Sequence, residues 1–259
     1  MRRAADTMYC ISVCNQKGGV AKTTTSLSLG ACLAELGKMA LLVDLDPQAN
    51  LTFSLALQPR SLRQSVADVM RGDIPPTSAI QRTSVAGLDI LPANATLAVL
   101  EKALYRSNSY ETMLSKAFSS MDPTLYDYVL IDCPPSLGAL TLNALTVANL
   151  MIVPTQPEFY ALSSLQNVFA LVKLIRQRTN PTLHYRILVT MHDRRNSISV
   201  SMLDHMKSAY REVLFDTVIE IDTKLRECPL AGVPITVYKP STRGAHQYRA
   251  LAKEVMQYE

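Results

Sequence analysis

The chain has 259 residues, of which 48% are hydrophobic, and its 26 Lys and Arg stand against 22 Asp and Glu for a formal net charge of +4. This excludes an intrinsically disordered chain and suits one large α/β domain over 1–259, with 1–8 as a short N-terminal extension. No apolar run approaches the roughly 18 residues of a membrane span, and Arg2 and Arg3 lead into no apolar stretch of signal-peptide type.

Cys10 to Cys14 is a short apolar run with a β-branched centre and predicts a buried strand. Asn15 to Ala21 breaks it with two glycines, and from Thr23 the pattern is helical, with Leu27, Ala31 and Ala34 on one face. A second strand is expected at Met39 to Val43, ending in Asp44-Leu45-Asp46-Pro47-Gln48. Residues 59–87, punctuated by Pro59, Pro75 and Pro76, read as a peripheral excursion around a short helical pattern at Leu62, Val66, Val69 and Met70. Leu88 to Leu91 predicts a third strand, followed by helical patterns at 95–106 and 109–120. Tyr126 to Ile131 predicts a fourth strand, ending in Asp132-Cys133-Pro134-Pro135, and Leu150 to Val153 a fifth. A helix over about 159–178 carries Leu162, Leu165, Val168, Phe169, Val172 and Ile175 on one face. Arg186 to Thr190 predicts a sixth strand and 196–212 a helix. Short apolar runs follow near Phe215–Ile221 and Ile235–Val237. The last helix starts near Thr242, with Ala245, Tyr248, Leu251 and Val255 inward. Strands alternating with helices predict a doubly wound, mostly parallel sheet covered on both faces.

The strand, the glycine turn and the Lys-Thr at a helix start are the parts of a phosphate cradle, in which free backbone N–H groups and the helix dipole meet an anion. Gly18, Gly19, Val20, Ala21, Lys22, Thr23 and Thr24 form the expected binding loop for ATP. Lys22 is placed to reach the β- and γ-phosphates, and the Thr23 hydroxyl to bind Mg²⁺. The stretch departs from the Gly-x-x-x-x-Gly-Lys-Ser/Thr pattern at Gln16 and Ala21. Tyr128 to Asp132 is an apolar strand ending in an acid, so Asp132 is the expected second Mg²⁺ ligand. Asp46 is the candidate that orients the attacking water, and Asp44 the candidate for turn capping. The five cysteines form no Cys-x-x-Cys pair and read as reduced core residues of a cytosolic protein. The four histidines show no metal-ligand spacing.

Lys17-Gly18-Gly19-Val20-Ala21-Lys22-Thr23 resembles the deviant Walker A motif of the ParA/MinD ATPases, whose mark is an extra signature lysine, here Lys17. Most ParA members have glycine at Ala21. Val43 to Gln48, Asp132 to Pro135, Pro154 to Leu162, Thr190 to Arg194, Leu225 to Pro229 and Arg249 to Val255 resemble further segments of the family. The similarity covers nearly the whole chain and is closest to the small ParA/Soj type. It implies a cytosolic, nucleoid-associated ATPase that forms an ATP-dependent homodimer. It also implies binding to double-stranded DNA without sequence preference and stimulation by a ParB-like partner. By that match Asp46 takes the hydrolytic role. Lys17 is expected to reach across the two-fold axis to the partner's nucleotide, since Lys22 already serves the cis phosphates. Glu220-Ile221 stands where many relatives have Pro-Arg, so the adenine pocket and part of the DNA surface are expected to differ.

Charge is uneven along the chain. Between 173 and 211, eight basic residues face only Asp193 and Asp204, which fits either a nucleic-acid footprint or solvated helix faces. With Lys224, Arg226 and Arg243 further on, Arg194, Arg195 and Lys224 are the candidate DNA contacts. The relative that positions a protein organelle on the nucleoid is a close variant. A membrane-surface ATPase like MinD would need a terminal amphipathic helix with an exposed apolar face, which 252–259 offers little of, so no stable membrane binding is expected.

Overall fold

The computed structural model describes residues 8–104, 110–159 and 161–258, and of 161–164 the backbone alone. Arg2, Arg3, Tyr105, Tyr160 and the side chain of Leu162 lie outside the described residues.

One eight-stranded sheet carries the chain: β1 Tyr9–Val13, β2 Ala40–Asp44, β3 Gln81–Arg82, β4 Leu88–Leu91, β5 Tyr128–Asp132, β6 Leu150–Thr155, β7 His184–His192 and β8 Leu214–Glu220. Its order is β3-β4-β2-β5-β1-β6-β7-β8, parallel throughout except for β3 against β4. Every residue of β1, β2, β5 and β6 is buried. Continuous apolar runs are what a parallel sheet needs when helices cover both of its faces.

One face packs under the helices Lys22–Glu35 and Arg243–Val255, the other under helices that include Ala139–Val147 and Ala161–Arg178. Tyr248 is fully buried, and its hydroxyl lies 3.1 Å from Thr25 Oγ1, joining the last helix to the first. Arg249 forks onto Glu35 at 2.7 and 3.0 Å across the same pair.

The doubly wound sheet matches the expectation from sequence, with local differences that include the following. Ala139–Val147 is a helix where no element was expected, because its apolar residues circle the axis and leave no stripe to read. Residues 81–82 add a two-residue antiparallel edge strand made of polar residues, which carry no strand pattern. The run Ile235–Val237 forms one helical turn, Ile235–Tyr238. Among the described residues no helix is long and apolar enough to cross a membrane, and all five cysteines are buried and free.

The strand order reverses around β1, which pairs with β5 on one side and β6 on the other. In a parallel sheet such a reversal opens a crevice beyond the C-terminal strand ends. Register levels the tips there: Val13 pairs with Asp132, and Asp132 with Asp44. The first helix lies close over this region because Gly30 has no side chain. A Cβ there would sit 2.8 Å from Leu42 Cδ2 and 3.2 Å from Leu88 Cδ1.

Gly30→Val should therefore overpack the helix–sheet contact and lower stability by about 2 kcal/mol or more. Urea unfolding checks this, and an unchanged midpoint would refute it.

Candidate functional site

The loop after β1 is held from its outer side. Asn15 Nδ2 donates to Pro154 O at 2.7 Å, and Asn15 Oδ1 accepts from Lys17 N at 3.0 Å. The loop carbonyls are then taken one by one. Lys22 Nζ donates to Lys17 O at 3.1 Å, Gln156 Nε2 to Gly19 O at 3.2 Å, and Thr190 Oγ1 to Val20 O at 3.1 Å. Ala21 O accepts the helix bond from Thr25 N at 2.9 Å. Among the described residues, the backbone N–H groups of Gly18 through Thr24 donate to no acceptor of the chain. Carbonyls turned away and amides left open make an anion nest at a helix N-terminus. Left-handed backbone at Gly19 (φ 73°) and Ala21 (φ 67°, ψ 33°) produces this turn. Ala21 is therefore the strained member, because its Cβ crowds the carbonyl in that region.

The floor of the cleft is acidic. Asp132 is fully buried and accepts from Thr23 Oγ1 at 2.7 Å and Ser26 Oγ at 3.0 Å. Asp44 is also fully buried; it accepts from Thr52 N at 2.9 Å, Thr52 Oγ1 at 2.7 Å and Asp46 N at 3.1 Å, which makes it the staple of the loop after β2. Burial is the main cause that pushes the Asp132 carboxyl up to about 7; the nearby Asp44 charge adds to it and the two hydroxyls oppose it. Burial likewise pushes Asp44 up to about 6, against the Thr52 hydrogen bonds. Asp46 accepts from Gln48 N at 2.9 Å and lines the cleft with Gly19, Lys22, Thr23 and Met191. Lys22 is 8% exposed, its ammonium tied to the loop itself.

A small recess adjoins the loop, lined by Thr24, Met191, Ile219, Ile221, Leu225 and Tyr248 together with Glu220, Asp222 and Arg226. Its apolar side chains lie directly beside the anion nest.

The structure brings together Lys22, Thr23, Asp46, Asp132 and the loop 18–24. It places Lys17 at the rim instead, where Nζ meets Glu158 Oε2 at 2.5 Å and Gln156 Oε1 at 3.3 Å. Arg194, Arg195 and Lys224 lie away from this cluster, each in an ion pair: with Glu220 at 2.5 Å, Asp193 at 3.1 Å and Glu227 at 2.7 Å. Asn15, Ser26, Gln156 and Thr190 were not singled out from sequence. Ser26 lies three residues beyond Thr23, on the same helix face, which is a readable signal. Gln156 and Thr190 act from the tips of other strands, which only pairing reveals.

The chain matches the family described as AAA domain over residues 8–185. It is 42% identical to the sporulation initiation inhibitor protein Soj of Bacillus subtilis (strain 168), over 95% of this chain and 97% of that protein. Identity to the chromosome partitioning protein ParA of Caulobacter vibrioides (strain NA1000 / CB15N) is 36%, over 99% and 97%. Among solved structures, cobyrinic acid a,c-diamide synthase from Mycobacterium smegmatis, with a bound ATP analogue and magnesium, is 38% identical. Its TM-score is 0.85, with 97% of this chain and 96% of that one covered.

Two outcomes follow from the site's physics. Ala21→Gly should stabilise the ligand-free protein by about 1 kcal/mol, since glycine takes the left-handed backbone without the Cβ clash; thermal unfolding checks it. Asp132 carries a folded pKa above its unfolded one. What it contributes to stability is then fully present below pH 3.8 and is lost as pH rises through about 7. Asp132→Asn should accordingly raise the melting temperature at pH 8 by clearly more than at pH 5, because the loss begins near 3.8 and is complete only above about 7. Equal effects at both pH values would contradict a buried, destabilising charge.

Proposed function

The chain belongs to the ParA/Soj family of ATPases, and on that basis we propose that it binds ATP with Mg²⁺, hydrolyses it, and uses the cycle to position or segregate DNA. The observation that carries this reading is the run of open amides from Gly18 to Thr24, with the carbonyls of Lys17, Gly19, Val20 and Ala21 each taken by a donor of the chain.

The residues fit both groups. The open amides and Lys22 suit the phosphates, and the recess beside them carries Ile221 where many relatives have arginine. Thr23 Oγ1 and Asp132 Oδ2 are 2.7 Å apart and supply hard oxygen donors, which suits Mg²⁺ and its retained waters. Bound there, Mg²⁺ supplies neutralisation of phosphate charge. The protein's own task is alignment: Lys22 holds the β- and γ-phosphate end, and Asp46 accepts a hydrogen bond from the water and orients it. Asp44 is occupied by Thr52 and Asp46 N–H, so it acts on the shape of that loop.

In this reading the protein is cytoplasmic and nucleoid-associated, with a ParB-like activator. Lys17 crosses the two-fold axis of an ATP-bound homodimer to the partner's phosphates. Its 41% exposed side chain rests on Glu158 here, so crossing exchanges one counter-charge for another. Dimerisation doubles the contacts to a duplex and so switches affinity for double-stranded DNA of any sequence. Arg195 and Lys224 remain candidate contacts, with carboxylate partners that phosphates would displace.

Two variants separate the roles. Lys22→Ala should lose most ATP affinity by calorimetry, roughly a hundredfold or more, as expected for losing a charge-assisted phosphate contact. Asp46→Ala should keep ATP binding, slow turnover by about a hundredfold or more, and accumulate as dimer. Normal ATP binding in the first or normal turnover in the second would overturn the respective role. Co-sedimentation with DNA and with anionic liposomes tests the partner. Liposome binding without DNA binding would favour a MinD-like membrane cycle.

A further inference from the structure

Two of the cations beyond β7 and β8, Arg194 and Arg243, rest on one buried acid. Glu220 ends β8 and is 4% exposed. Its Oε1 meets Arg194 Nη2 at 2.5 Å and its Oε2 meets Arg243 Nη1 at 3.0 Å. Gln247 Nε2 donates to Oε1 at 3.1 Å, while Gln247 Oε1 accepts from Glu220 N at 2.9 Å. Arg243 Nη2 also donates to Ile221 O at 2.6 Å. Three elements are thus joined: the loop after β7, the tip of β8 and the start of the last helix.

The asymmetry of exposure is the informative feature. The carboxylate lies beneath the surface, whereas the two arginine side chains are 74% and 55% exposed. A guanidinium has five N–H donors in a planar fork, and one contact to Glu220 leaves others facing water. Arg226, exposed and in no ion pair among the described residues, lines a recess with Ile221 and Asp193. We infer that Glu220 is a positioning residue that orients Arg194 and Arg243 as a two-pronged clamp for the phosphate backbone of duplex DNA. Ordering two long side chains costs rotamer entropy, and the buried acid meets that cost before the duplex arrives.

This inference rests on the DNA-binding reading above and makes a prediction of opposite sign to simple charge counting. Glu220→Gln keeps the volume and the Gln247 contact and raises the net charge by one. Charge counting alone then demands tighter DNA binding and a steeper salt dependence. Loss of the clamp demands the reverse.

The test is fluorescence anisotropy on a random-sequence duplex, with Mg²⁺ and a non-hydrolysable ATP analogue, across a salt series. Glu220→Gln should bind at least fivefold more weakly, with a log–log salt slope shallower by about one to two, as for one or two lost phosphate contacts. Arg194→Lys keeps the charge without the fork and should also weaken binding. Because Glu220 lines the recess beside the nucleotide loop, the ATP analogue is kept saturating throughout, and ATP-dependent dimerisation should be retained in both variants. Equal or tighter binding by Glu220→Gln overturns the clamp and leaves the DNA reading standing. If Glu220→Gln unfolds, Arg194→Lys decides, and parental affinity in that variant overturns the clamp. No duplex binding by the parent protein overturns the clamp together with the DNA reading.

Discussion

A site made of backbone amides exists only if the carbonyls of the same peptides are satisfied elsewhere. Each peptide in the loop after β1 carries one donor and one acceptor, and a turn that left both free would be as ready to bind a cation as an anion. Here Lys22, Gln156, Thr190 and Thr25 take the carbonyls of Lys17, Gly19, Val20 and Ala21. Gln156 follows β6, Thr190 lies in β7, and Lys22 and Thr25 belong to the first helix. The nest is therefore a property of the sheet's order around β1, and any change that moves β6 or β7 relative to β1 reaches the ligand site.

The same placement sets the electrostatics. Strand pairing levels Asp44 with Asp132 where both are fully buried, so their charged forms are costly and their carboxyls titrate high. The cost is tolerated because hydroxyl and amide donors surround both groups, from Thr23, Ser26, Thr52 and Asp46. A folded protein that keeps acids under such conditions holds them for a cationic ligand or for a polar frame. The structure divides these roles in space: Asp44 faces the loop it staples, and Asp132 faces the Thr23 hydroxyl.

Charge on the far side of the cleft follows another rule. Among the sequence-predicted cations, Arg194, Arg195 and Lys224 each have a carboxylate partner. Exposed pairs of this kind contribute little stability and exchange partners readily. Arg194 differs, because its acid is buried and shared with Arg243, and a shared buried acid fixes direction as well as charge.

The local signals were legible from sequence. A buried strand, two glycines and Lys-Thr before a helix are contiguous, so spacing alone predicts the nest's outline, and the Asp132 strand tip is equally local. The helix at Ala139–Val147 was not legible, since its apolar residues lie all round the axis and erase the periodicity that marks a half-exposed helix. The Thr23–Asp132 hydrogen bond joins residues 109 apart, and the carbonyl anchors come from positions 137 and 170 residues away. Such pairings are set by strand order and register, about which a linear pattern carries no information. Charge counting found the basic excess in 173–211 but could not assign partners, because Glu220 lies outside that stretch and meets Arg194 only when β8 pairs with β7. The sequence by itself determined most of the element types, the outline of the loop after β1 and the acids at the strand tips. Tertiary structure decided which carbonyls are silenced, which acids are buried, and which arginines are held in place, because each of those depends on what folding brings within hydrogen-bond reach.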